Sequence, residues 1–167
     1  MTKPLVAVVA GSKSDGELID VAVEALSQFD IPFQARIISA HRTPSVAEAF
    51  AKGARASGLK VIIAIAGKAA HLAGVFASLT TLPVIGVPAG TSDLGGLDSL
   101  LSTVQMPSGV PVATVAIGKA GAKNAALLAI SILSIADESL AARLEAYKAE
   151  MARKIEQDDR ELSASSP

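Results

Sequence analysis

The feature that most constrains this 167-residue chain is an alternation of two patterns. Five short, nearly unbroken aliphatic runs, rich in Val and Ile, lie at residues 5–10, 33–38, 60–65, 83–87 and 110–117. A strand with one wet face alternates apolar and polar residues, whereas a strand buried on both faces of a parallel sheet reads as continuous. Between the runs lie stripes of helical period: Leu18, Ala22, Ala25, Leu26 and Phe29; then Val46, Phe50, Gly53, Ala54 and Ser57; then 69–79 and 120–136. Strand and helix alternating five times predicts an α/β fold, an open parallel sheet covered on both faces.

Punctuation supports this segmentation. Ser14-Asp15-Gly16-Glu17 reads as a capping box opening the first helix, and Thr43-Pro44 as an N-cap followed by a proline at the first helical position. Pro32, Pro83 and Pro111 sit just before or at strand starts, where a missing N–H is tolerated. Residues 90–111 hold Gly90, Gly95, Gly96, Gly109, Pro107 and Pro111, which predicts mostly loop with a short helix near 97–104. Beyond 136, Leu140, Leu144, Tyr147, Met151 and Ile155 recur at three- and four-residue steps, with charges on the other faces. That is a C-terminal amphipathic helix over about 137–160, followed by a tail, 162–167, expected to be disordered. With no repeat and no linker, the chain reads as a single domain with its core over about 4–136.

Composition narrows the function. Half the residues are hydrophobic and the mean hydropathy is +0.46, too apolar for a disordered chain. Aromatics make up 3% and the net charge is −1, which excludes an aromatic stacking platform or a basic field, so no nucleic-acid partner is expected. Cysteine is absent, which excludes disulfides, thiolate nucleophiles and cysteine-held metals. Two histidines without a His-x-x-x-His pair or clustered carboxylates predict no metal site. Run 5–10 is too short for a signal peptide, and the apolar stretch 61–79 is broken by Lys68 and His71, so no membrane span is expected. The reading is a cytoplasmic protein whose surplus apolar surface goes into a large subunit interface.

In open α/β sheets, ligands bind beyond the carboxyl ends of the strands. Three such turns carry the polar chemistry here. The first, Gly11-Ser12-Lys13-Ser14-Asp15, offers a sharp turn, two hydroxyls and a helix N-terminus suited to phosphate, although Ser14 and Ser12 can equally serve as cap and turn residues. In the second, Ser39-Ala40-His41-Arg42-Thr43, the guanidinium of Arg42 suits phosphate or carboxylate and His41 can exchange a proton; the plainer alternative is a surface pair. In the third, Gly67-Lys68-Ala69-Ala70-His71, His71 is a ligand contact or a structural histidine in the first helical turn, and Lys68 an anion contact or a solvated charge. Phosphate-loop and dinucleotide glycine motifs are missing, as is a nucleophile elbow. The first strands end in Val9-Ala10-Gly11 and Ile38-Ser39, without the acidic residues of a phosphotransfer receiver.

Taken together, Gly-Ser-Lys-Ser-Asp at 11–15, Ser-Ala-His-Arg-Thr-Pro at 39–44 and Ala-Ala-His-Leu at 69–72 resemble one family. So do Leu-Pro-Val-Ile-Gly-Val-Pro at 82–88, Asp-Ser-Leu-Leu-Ser at 98–102, Val-Gln-Met-Pro at 104–107 and Asn-Ala-Ala-Leu-Leu-Ala at 124–129. Over about residues 5–133 the chain is similar to the N5-carboxyaminoimidazole ribonucleotide mutases of purine biosynthesis, in their class I bacterial form. The resemblance implies a three-layer α/β/α subunit with a flavodoxin-like open parallel sheet, assembled as a homo-octamer. It implies an isomerase that moves a carboxylate from an exocyclic nitrogen to C4 of an aminoimidazole ribonucleotide, without cofactor, metal or ATP, and functional coupling to the ATP-dependent synthase that makes the substrate. By motif, Ser12, Asp15 and Arg42 contact the ribonucleotide, with Ser14 and Ser39 as further contacts and His41 as proton carrier; Gly67, Lys68 and His71 of the third turn complete the substrate-binding candidates.

Three residues depart from the family pattern: Ile65, Lys68 and Ala73. A lysine where glycine is usual is strained if the position needs a left-handed backbone, and it sets a cation beside the carboxylate pocket. Ile-Ala-Gly before a basic residue is similar to class II relatives, which carboxylate aminoimidazole ribonucleotide directly with carbon dioxide. Arg42 and the intact Ala70-His71-Leu72 favour the mutase. A ribonucleotide-binding module without activity is the third reading.

Overall fold

β1 (Val6–Ala10), β2 (Phe33–Ile37), β3 (Val61–Ala66), β4 (Val84–Pro88) and β5 (Ala113–Thr114) form one parallel sheet in the computed structural model, which describes residues 3–165. The strand order is β2-β1-β3-β4-β5, with Val8 of β1 opposite Ala35 on one side and Ile63 on the other. Parallel neighbours need crossovers, supplied by α1 (Gly16–Gln28), α2 (Pro44–Ala54), α3 (Leu72–Leu79) and α4 (Leu97–Val104), with α5 (Gly118–Ser134) after β5. This is the flavodoxin-like arrangement expected from the sequence.

Side chains alternate across the strands, so each inner strand feeds two cores. Ala7, Val9, Ile62 and Ala64 pack with Ala47, Ala51 and Ala54 of α2 and Leu72, Ala73 and Phe76 of α3. Val6, Val8, Ile63 and Ile65, all fully buried, point to the opposite face, where a right-handed crossover places α1 with Leu18, Ala22 and Leu26. Gly86 in β4 has no room for a side chain: a Cβ there would lie 2.9 Å from Val112 Cγ1 and closer still to Thr103 of α4.

Two strands differ from expectation. β1 and β4 are buried along their length and β3 as far as Ile65, but β2 is an edge strand, with Phe33 and Ile37 exposed by 36% and 50%. The run at 110–117 yields only two ladder residues. Pro111 has no N–H to donate, and Gly109 (φ +94°) and Gly118 (φ +74°) turn the chain on either side. One further bond, from Val115 N–H to Gly86 O at 3.1 Å, extends the contact with β4.

Backbone contacts group the chain into one unit ending at Ile130 and another beginning at Ser131. The second holds α6 (Glu138–Ala164), whose N-cap Asp137 accepts from Leu140 N–H at 3.0 Å. The helix runs past the expected end near 160, so 162–164 are helical rather than disordered; 166–167 of the expected tail lie outside the described residues. Removing the cap in Asp137→Ala is expected to cost about 1 kcal/mol of α6 stability. Hydrogen exchange at the Leu140 amide checks it; unchanged protection would rule the cap out as a contributor.

Candidate active site

The three turns expected to carry chemistry converge on one cleft of about 560 Å³ at the carboxyl edge of the sheet. It lies where the connections diverge: β1 leads outward to β2 and β3 leads the other way to β4.

In the first turn, Gly11 N–H is held by Ile65 O at 3.0 Å. Ser12 Oγ accepts from Ser14 N–H at 3.3 Å and so caps a short 3-10 turn, Lys13–Asp15. This extra turn displaces the expected capping box. α1 starts at Gly16 behind Asp15, which makes no side-chain cap bond, and Ser14 faces the cleft instead of capping the helix. Asp15 is half-buried, and burial holds its carboxyl above the usual value of 3.8 against an opposing hydrogen bond from Ser14.

That shift has a testable sign. The folded state takes up the Asp15 proton more readily than the unfolded chain, so this group's contribution to stability declines as pH rises from 3.8 through the raised value. Asp15→Asn is therefore expected to melt higher than the native chain at pH 7, with the gap closing as pH falls below 3.8. Thermal melts across pH check this; a variant that melts lower at pH 7 would contradict it.

The second turn is tied into a rigid loop. Ser39 N–H donates to Thr43 Oγ1 at 3.1 Å, Thr43 Oγ1 donates back to Ser39 O at 2.9 Å, and Arg42 N–H donates to Ser39 Oγ at 3.1 Å. The Arg42 guanidinium reaches across to the first turn, where Nη2 donates to Gly11 O at 3.1 Å. Between these anchors stands His41. Its Nε2 lies 2.9 Å from His71 Nδ1, with the rings nearly perpendicular at 87°. One nitrogen of such a contact donates and the other accepts, so the two imidazoles share a single proton along that line.

The third turn bends through Lys68, whose φ of +56° is left-handed. This is the backbone strain the sequence raised as a condition, and it corrects one expectation. The left-handed residue breaks the helical path, so α3 begins at Leu72 rather than 69, and His71 sits at its N-cap rather than inside its first turn. Lys68 Nζ pairs with Asp93 Oδ2 at 2.6 Å. Asp93's hydrogen bond and charge raise the Lys68 ammonium above its ordinary value, and Lys68 in turn lowers the Asp93 carboxyl.

A fourth turn was missed by sequence reasoning. Gly90, Thr91 and Ser92, after β4, line the same cleft. Thr91 Oγ1 donates to Asp98 Oδ1 at 2.9 Å and accepts from Gly96 N–H at 3.2 Å, while buried Ser99 donates to Ala89 O at 2.6 Å. The available signal was topological, since β4 must lie beside β3 with its carboxyl end on the same edge. Among the described residues, no three or more His, Cys, Asp or Glu side chains converge as a metal site, and no helix is long and apolar enough to cross a membrane.

The family described as AIR carboxylase matches residues 5–154. The chain belongs to the AIR carboxylase family. It is 60% identical over 148 residues to the N5-carboxyaminoimidazole ribonucleotide mutase of Saccharolobus solfataricus, spanning 89% of this chain and 92% of that one. It is 58% identical over 143 residues to the mutase of the same name from Brucella melitensis, spanning 86% and 88%. A more composite relative is the bifunctional purine synthesis protein purC/E of Dictyostelium discoideum, 51% identical over 148 residues, or 89% of this chain and 15% of that protein. Among solved structures, the Treponema denticola PurE crystal structure superposes with a TM-score of 0.86 at 33% identity, covering 95% of this chain and 98% of that one. Within this AIR carboxylase fold, the first three turns at the carboxyl edge bring together every site residue expected from the sequence: Ser12, Ser14, Asp15, Ser39, His41, Arg42, Gly67, Lys68 and His71.

Proposed function

We propose that this AIR carboxylase family member is an N5-carboxyaminoimidazole ribonucleotide mutase, an isomerase of purine biosynthesis that forms 4-carboxy-5-aminoimidazole ribonucleotide. The observation that carries this reading is the 60% identity to the Saccharolobus solfataricus mutase over nearly the whole of both chains. The cleft supports it with the parts such a reaction needs. The bond from the exocyclic nitrogen to the carboxyl carbon breaks and releases carbon dioxide, which must be held against the nucleophilic C4 while water is kept out. The new bond leaves C4 tetrahedral. His41 takes the proton from C4 and returns one to the nitrogen, so the reaction balances without a cofactor.

The Arg42 guanidinium, anchored through Nη2 to Gly11 O and through Nε to Ser39 Oγ, presents a fixed fork for the ribonucleotide phosphate beside the hydroxyls of Ser12 and Ser14. Asp15 and Ser39 complete the ribonucleotide contacts, and Gly67, Lys68 and His71 flank the reacting carboxylate. Side chains left exposed in the single chain, Phe33, Ile37 and Val46 near β2 and Leu97, Leu101 and Val104 on α4, support assembly with further copies into a homo-octamer. A cytoplasmic setting, and coupling to the ATP-dependent synthase of its substrate, follow from the same assignment. The fused relative supports association with neighbouring steps of purine synthesis.

The test follows product formation by ultraviolet absorbance from two substrates in parallel. Product from N5-carboxyaminoimidazole ribonucleotide without added bicarbonate is the expected result. Efficient product from aminoimidazole ribonucleotide with excess bicarbonate would make it a direct carboxylase, and silence in both would leave a binding module.

A further inference from the structure

Lys68 is the one residue of the cleft whose backbone and side chain both need an explanation beyond folding. Its φ of +56° is a conformation glycine adopts freely and a lysine adopts at a cost. Its ion pair with Asp93 gives little in return, because the two side chains are 69% and 58% exposed and a solvated pair of this kind is worth no more than about a fivefold preference. A strained residue holding a weak, exchangeable partner at the rim of a ligand cleft is a side chain kept for the ligand.

The two cations of the cleft differ in kind. The Arg42 guanidinium is held by Nη2 donating to Gly11 O and Nε donating to Ser39 Oγ, and is turned onto the first turn. Lys68 is a point charge on a flexible stem, carried by the turn that also carries His71 and lining the same cleft. The substrate under the proposed function likewise has two anionic groups that differ in kind. Its phosphate stays put, whereas its carboxylate moves from nitrogen to carbon. A rigid planar fork suits the stationary group; a mobile ammonium with three rotatable donors can follow the moving one.

We propose that Lys68 is a specificity-determining residue that leaves Asp93 to bind the migrating carboxylate, so that carboxylated ribonucleotides are held more tightly than the uncarboxylated one. Asp93 is its resting partner and competes with the ligand. This rests on the mutase reading, and its test is a binding measurement so that the two can fail separately.

Titration calorimetry would compare 4-carboxy-5-aminoimidazole ribonucleotide with aminoimidazole ribonucleotide on the full chain. Lys68→Met is expected to weaken the carboxylated ligand about tenfold, the size of one charge-assisted contact at a partly solvated site, and to leave the uncarboxylated ligand within twofold. Lys68→Gly, which the left-handed backbone accepts, should give the same selective loss and so separates lost charge from disturbed turn geometry. Asp93→Asn should tighten the carboxylated ligand by about twofold to fivefold, because the competing partner is gone. Equal weakening of both ligands in the Lys68 variants, or no change in either, overturns the proposal while leaving the mutase assignment standing. Failure of the native chain to bind either ribonucleotide sinks the functional reading and the proposal with it.

Discussion

His41→Asn is expected to bind 4-carboxy-5-aminoimidazole ribonucleotide within about threefold of the native chain while turnover falls by about 10²–10⁴-fold, the range of a lost general acid–base group. The anchors on either side, Ser39 to Thr43 and Arg42 to Gly11 O, do not involve the imidazole. What the variant lacks is a group that can take a proton from C4 and return one to nitrogen. Calorimetry for binding and single-turnover kinetics for chemistry separate the two effects. Turnover within tenfold of native would remove His41 from the proton-transfer role.

Phe76→Ala is expected to be the most damaging single change to the fold, at about 3–5 kcal/mol, the cost of emptying a fully buried aromatic site. Phe76 is inaccessible to solvent, lies on α3 against the core formed by β1, β3 and α2, and packs on Phe50 with ring centroids 5.4 Å apart. α3 also carries His71 at its N-cap, so loosening its seat should cost activity beyond the loss of stability. Urea denaturation at fixed protein concentration would show the midpoint falling with little change in slope. A loss below about 1 kcal/mol would mean that neighbouring side chains collapse into the space, contrary to the close packing expected of such a core.

The contrast between these two residues shows what was legible in advance. Phe76 lies in a stretch whose helical character and burial follow from a pattern of apolar residues, and pattern is a local property. For the same reason the first four strand runs, the short helix over Leu97–Val104 and the start of α2 at Pro44 were predictable to within a residue or so. That the first three turns hold the chemistry was also legible, because a parallel sheet places every strand's carboxyl end on one edge whatever the details of packing.

The departures share one physical cause. A cap, a turn or an edge depends on which of several compatible conformations the neighbours favour, and those neighbours are distant in sequence. Ser12 rather than Ser14 became a cap once a 3-10 turn fitted between β1 and α1. β2 took the edge position and none of its five residues is buried, and β5 shrank between glycines and a proline.

By itself, the sequence determined the fold class, the family and the residue types available at the carboxyl edge, because these follow from local periodicity and motif order. Only the tertiary structure decided that His41 meets His71, that Arg42 is anchored on Gly11, that Lys68 is left-handed and paired with Asp93, and that the turn after β4 joins the cleft. Those contacts link residues up to 31 positions apart, and their geometry exists only once the parallel sheet has set its strands side by side.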